Sequence, residues 1–169
     1  MTEIVFDGGG VTIRGDKLFF WGGWPSQWTM AEFVIDGVTY NCCEQWMHAE
    51  KARLFGDVEV LSKILASPHP KAQKDFGRKV RGYDDARWVE KRYEVVVRGN
   101  VAKYSQNPAL LQLLRDAPAI LVEASPEDVV WGVGMSVDDP DIDDASKWRG
   151  ENLLGKAISE ARRRLLARP

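Results

Sequence analysis

The stretch CEQWMHAEKARLF, Cys43 to Phe55, decides how this chain is read. At about 3.6 residues per turn it makes a helix on which Glu44, His48, Lys51 and Phe55 share one stripe, with Met47 on its edge. Cys43, Trp46 and Ala49 occupy the opposite side, so the helix is apolar on more than one face. Such a helix is buried. A carboxylate, an imidazole and an ammonium on a buried helix are costly unless they face a wet cleft or each other. The stripe is therefore the candidate wall of a site. Two plainer readings compete. Asn41-x-x-Glu44 has capping-box spacing, which would make Glu44 the tie at the helix start. Lys51 could snorkel to solvent along its aliphatic stem.

Upstream, the pattern is one of short strands: Ile4 to Phe6 before Gly8-Gly9-Gly10, Val11 to Arg14 before a Gly-Asp turn, and Lys17 to Trp21 before the loop GGWPSQW. Glu32 to Ile35 and Val38 to Tyr40 flank Asp36-Gly37, a strong two-residue hairpin signal that delivers the chain into the Cys43 helix. Downstream, helices dominate. Asp57 suits the cap of one running to Leu65, and Ser67-Pro68-His69-Pro70 breaks it. Lys71 to Val80 is helical with Gly77 as a weak point, and a long helix follows from Ala86 to Ser105. Asn107-Pro108 opens another, ending near Asp116. Ala119 to Ala124 is an apolar, strand-like run, and Ser125-x-x-Asp128 has the spacing to cap a single turn. The closing helix runs from Asn152 to Ala167. The expectation is an α+β protein: one mostly α-helical domain over residues 1–169, with a small N-terminal antiparallel β element.

A chain of 169 residues, 44% hydrophobic and 28% charged, has the makings of an ordinary globular core without staples or metals. Its net charge of −2 gives no global electrostatic case for nucleic acid, so any polynucleotide contact would be local. Adjacent Cys42 and Cys43 cannot easily bridge each other and suggest a reducing compartment. No apolar run has membrane length, and Glu3 and Asp7 interrupt any signal peptide, so the reading is cytoplasmic. Seven tryptophans are unusual. Trp21, Trp24 and Trp28 crowd one loop, while Trp131 and Trp148 flank another. Tryptophans in Gly/Pro-rich loops either stack on flat ligands or pin the loop to a core.

Familiar catalytic signatures are missing. No glycine loop has phosphate-binding or dinucleotide spacing, and no nucleophile elbow accompanies His48 or His69. Two histidines and two adjacent cysteines make a protein-only zinc site improbable. Five aspartates between Val137 and Ser146 depart from calcium-loop spacing and read as a solvated loop. What remains is acid/base chemistry by Glu44, Lys51, Glu123 and Asp128.

Seven segments, in order, carry a resemblance over nearly the whole chain. They are Trp24 to Trp28 with the Asp36-Gly37 hairpin, Glu44-Gln-Trp-Met-x-x-x-Lys51-Ala, Gly77-Arg78-x-Val80, and Trp88. Lys103-Tyr-Ser-Gln-Asn107, LVEASPEDVVWGVG (Leu121 to Gly134) and Trp148-Arg-Gly-x-Asn152-Leu-Leu-Gly155 complete the series. The chain resembles the YbiA-like, or NADAR, family. Ser26-Gln27-Trp28 stands where that family usually has Ser-Asn-Phe.

The resemblance implies a hydrolase of N-glycosidic bonds between a ribosyl carbon and a base-like nitrogen, with no cofactor or metal and no obligate protein partner. One branch is similar to enzymes that destroy reactive riboflavin-pathway intermediates, ribosylamino-pyrimidines. Another is similar to glycosidases that remove ADP-ribose from guanine in DNA or RNA. The long acidic loop between Gly134 and Trp148 departs from the short glycine-rich version of the first branch and favours the second. By this resemblance Glu44, Lys51 and Asp128 are the catalytic residues, with Glu123 as an alternative acid. Trp88 and Trp131 are stacking walls, and Arg78 and Lys103 phosphate holders. Trp28, Trp46, His48, Gly132, Gly134 and Asn152 complete the expected substrate contacts. A non-catalytic reader of ADP-ribose in the same cleft is the other class, less consistent with the presence of both Glu44 and Lys51.

Overall fold

Asp36 and Gly37 both adopt positive φ, 51° and 78°, the backbone of a tight turn whose twist suits two paired strands. In the computed structural model, which describes residues 10–167, this turn joins β3 (Phe33–Ile35) to β4 (Val38–Tyr40) as the sequence indicates. The strand expected at 4–6 lies outside the described residues. A second antiparallel hairpin pairs β1 (Val11–Arg14) with β2 (Lys17–Phe20). β5 (Ile120–Glu123) then joins β2 in parallel, giving the order β1-β2-β5. A parallel pair needs a long crossover. Here that crossover is the β3–β4 hairpin together with five helices.

Those helices are α1 (Cys43–Leu54), α2 (Val58–Ala66), α3 (Pro70–Gly77), α4 (Asp85–Gln106) and α5 (Pro108–Asp116); α6 (Leu153–Leu166) closes the chain. Their starts follow from local chemistry. Asp57 accepts from the Val60 N–H at 3.2 Å and Asp84 from the Arg87 N–H at 2.8 Å. Proline occupies the first turn of α3 and of α5, where no N–H is needed. No helix forms at Ser125-x-x-Asp128: the Ser125 hydroxyl accepts from the Asp128 N–H, and the chain continues as a loop. The acidic segment holds only a 3-10 turn, Ala145–Lys147.

α1 runs between two cores, which is why its apolar residues surround it. Cys43, Trp46, Ala49 and Ala52 pack with Phe33, Tyr40 and Ile64. Met47 packs on the other side with Leu18, Trp88, Val97 and Leu154. Among the described residues no helix is long and apolar enough to cross a membrane.

Candidate active site

The loop Gly22 to Trp28 ends against the N-terminus of α1, where the Gln27 carbonyl accepts the Glu44 N–H at 3.0 Å. Gln45, not Glu44, reaches back over the helix start: its Oε1 accepts from the Asn41 N–H at 2.8 Å. Glu44 is thereby released from the capping role that its spacing suggests. Its carboxylate is only 5% exposed, lies 3.0 Å from His48 Nε2 through Oε1, and lines a cleft of about 960 Å³.

Four tryptophans, Trp21, Trp28, Trp88 and Trp131, line that cleft together with the cations Lys51, Lys74 and Arg78 and the carboxylates Glu44, Glu123, Glu127 and Asp128. Lys51 does not snorkel away. Its half-buried ammonium stands 4.5 Å from the centroid of the Tyr83 ring and 6.0 Å from that of Trp88. Burial, and secondly the charge of Arg78, holds its pKa below the ordinary lysine range, with Asp85 partly opposing. Tyr83 donates to Asp85 at 2.7 Å, and that bond pushes its phenol up to about 12. Lys74 stands 5.9 Å over the Trp28 ring, and Arg92 5.9 Å over that of Trp131. Lys51, Lys74 and Arg78 enter no salt bridge among the described residues, which leaves their charged ends without a direct carboxylate partner there.

Asp128 reaches the cleft from the loop after β5. Its Oδ1 accepts from the backbone N–H groups of Val130 and Trp131 at 2.9 and 2.8 Å, which fixes the Trp131 backbone. One carboxylate oxygen is thus committed to shaping the wall.

Five of the expected substrate contacts build the cleft without lining it. Trp46 is 2% exposed, donates from Nε1 to the Val95 carbonyl at 2.7 Å, and lies so close to Gly99 that a Cβ there would overlap its indole. Lys103 is fully buried, and its Nζ donates to the carbonyls of Trp24 and Ser26 at 2.8 and 2.9 Å; it moors the tryptophan loop to α4. Asn152 brackets the free edge of β5, accepting from the Glu123 N–H at 3.0 Å and donating to the Leu121 carbonyl at 2.9 Å. Gly132 sits where a Cβ would crowd the Asp128 and Glu123 carbonyls, and Gly134 has φ 68°. The common reason is that a sequence motif marks a position but not the direction of its side chain. Conversely, Trp21, Lys74 and Glu127 line the cleft and Tyr83 lies beneath Lys51, and none of the four is among the expected contacts. Lys74 had a signal in the sequence: it precedes Arg78 by four residues, which places both on one helical face. Trp21 is 55% exposed, and it alone of the four cleft tryptophans has neither a ring nor a cation over it among the described residues.

Comparison with known proteins adds to this geometry. A family model described as the NADAR domain matches residues 19–166. N-glycosidase R617 of Acanthamoeba polyphaga mimivirus is 37% identical over 143 residues, covering 81% of this chain and 84% of that protein. Protein irg-1 of Caenorhabditis elegans is 35% identical over 132 residues, 76% of this chain and 62% of that protein. The NMR structure of the E. coli protein YbiA superposes with a TM-score of 0.70 at 26% identity, covering 91% of this chain and 88% of that one.

Proposed function

The chain belongs to the NADAR family, and we propose that it is an N-glycosidase whose substrate is ADP-ribosylated guanine, in nucleic acid or as a nucleotide. The observation that carries this reading is the shared cleft of Glu44 and Lys51: a buried carboxylate held by one oxygen, and an amine with lowered pKa.

Hydrolysis breaks the C1′–N bond, joins a water oxygen to C1′, and returns a proton to the base nitrogen. Positive charge develops at C1′ as the bond opens. A fixed carboxylate beside it, in a site sheltered from water, stabilises that charge more than bulk solvent would. Lys51 offers a second branch. Its free amine displaces the base from C1′ and gives one proton to the departing nitrogen; the C1′–O4′ bond then opens, O4′ takes the second amine proton, and water hydrolyses the resulting C1′=Nζ imine to the sugar aldehyde, restoring the amine. Burial raises the free-amine fraction that this branch requires.

Three features support an ADP-ribosyl substrate. The cleft volume lies at the upper end of the range for small-molecule sites. Lys74 and Arg78 supply charge for phosphates, and tryptophans around the walls suit flat bases. The test is a release assay with Glu44→Gln on an ADP-ribosyl-guanine oligonucleotide and on an aminouracil ribosylamine phosphate. The parent should release ADP-ribose from the first, and the variant should lose on the order of a hundredfold in turnover at a nearly unchanged melting temperature. Release from the second substrate alone would assign the riboflavin-type reaction. Saturable binding with no release would make the protein a reader. Near-parental turnover by Glu44→Gln would remove Glu44 from the chemistry.

A further inference from the structure

We infer that His48 is a positioning residue for Glu44, locked by Gly77 into one tautomer so that a single oxygen of the carboxylate is left for the substrate. The inference rests on the reading of Glu44 given above.

His48 and Glu44 are one turn apart on α1 and are 6% and 5% exposed. Nε2 lies 3.0 Å from Oε1 of Glu44. The other ring nitrogen, Nδ1, is buried and has no hydrogen-bond partner among the described residues. What lies against it is Gly77, near the end of α3: a Cβ built there would overlap Nδ1 and Cγ. A carboxylate can only accept, so the proton between the pair belongs to Nε2. The opposite tautomer would aim a lone pair at the carboxylate and bury an N–H against the Cα of Gly77, which cannot accept it. Packing therefore selects the Nε2–H form.

Neither ring nitrogen remains for a ligand, although the ring lines the cleft and sequence assigns it to substrate binding. A methionine would fill the space without stranding a buried nitrogen, but it would leave the buried Glu44 carboxylate without its donor. What the imidazole does provide is a fixed donor. It pins one carboxylate oxygen and so sets the rotamer of Glu44 before substrate arrives. Gly77 is the enabling residue, because any side chain would push the ring off its line to Oε1. The same contact seats α3, from which Lys74 reaches the cleft and which Arg78 follows as its C-cap.

The test combines kinetics with direct observation of the tautomer. His48→Met should lower kcat by about 10- to 100-fold with KM within about twofold. His48→Gln, whose amide N–H reaches about as far as Nε2, should recover most of the loss. Adding His48→Met to Glu44→Gln should cause no further fall, since the pair acts as one unit. Long-range ¹H–¹⁵N correlation spectra of the unmodified protein should show the Nε2–H pattern for His48, a readout that does not depend on any variant folding. An Nδ1–H tautomer, a His48→Gln variant as slow as His48→Met, or a further drop in the double variant would each overturn the proposal. The two readings fail separately: an inactive Glu44→Gln beside a fully active His48→Met defeats this one alone, whereas an active Glu44→Gln defeats the reading of Glu44.

Discussion

Asn152→Ala should destabilise the protein by about 3–5 kcal/mol while leaving KM within about twofold of the parent. β5 is an edge strand, and its outward backbone groups need partners. The Asn152 amide supplies two of them, accepting from the Glu123 N–H at 3.0 Å and donating to the Leu121 carbonyl at 2.9 Å, as a neighbouring strand would. The side chain is 4% exposed, so alanine strands both groups away from solvent. Each stranded group costs about 1–3 kcal/mol, and the lower half applies where a sheet edge can readmit water. Alanine must also hold φ near 53°, a left-handed conformation that asparagine tolerates and alanine resists by about 1 kcal/mol. Asn152→Gly strands the same groups without that strain and should be the milder change by about 1 kcal/mol on this count. Urea denaturation with matched m-values gives the stability difference, and initial rates give KM. A parental midpoint together with a tenfold rise in KM would refute this reasoning and return Asn152 to the substrate.

If the amine of Lys51 reacts, turnover should rise with pH along a limb whose midpoint lies below the ordinary lysine value of 10.5, because burial and Arg78 disfavour its charged form. Lys51→Arg should remove that limb, and borohydride added during turnover should trap a ribosyl adduct on the peptide Glu50 to Arg53 in the parent only; an active, untrapped parent would leave carboxylate-assisted hydrolysis. The sign for stability follows from the same shift. Between the lowered folded pKa and 10.5 the unfolded chain binds more protons, so Lys51 makes stability rise with pH across that window, and Lys51→Met should lack this rise in denaturation series. Trp131→Ala should raise KM about tenfold if the ring stacks on a base, and a large fall in melting temperature with unchanged kinetics would instead make it a core anchor. Trp21→Ala, at a ring more than half exposed, should change stability by no more than about 0.5 kcal/mol yet raise KM for a base-bearing substrate; an unchanged KM would leave Trp21 out of binding.

Much of this architecture was legible because its signals are local. Asp36-Gly37 demands a two-residue turn, Asp57 and Asp84 cap the helices that follow them, and Pro108 opens α5. The stripe of Glu44, His48 and Lys51 was legible for the same reason, since helical spacing alone puts them on one side. What escaped depends on partners distant in sequence. Nothing in Ala119 to Ala124 says that it adds in parallel to β2. Lys103 and Asn152 sit inside recognisable motifs, yet only the tertiary packing turns them inward to hold backbone. Gly77 reads locally as a weakness in a helix, and its function as the seat of His48 becomes visible only when α1 and α3 are brought together. Tyr83 stands just before the Asp84 cap of α4, and the phenol beneath Lys51 carries no motif of its own.

The mooring of the tryptophan loop by Lys103 has a consequence for when the protein becomes active. Its bonds to Trp24 and Ser26 span 79 and 77 residues, and Asn100 adds another to Gln27 across 73. Loops of that length close slowly, because their entropy is lost before any contact repays it. The other wall is completed later in the order of synthesis: the Val129 and Gly132 carbonyls are taken up by Glu151 and Asn152, at the threshold of α6. A nascent chain can therefore form α1, with Glu44 and Lys51 already in register, long before it has a cleft. Catalytic competence arrives in one late step of folding, and activity should return with the slowest refolding phase, after the helices have regained their circular dichroism.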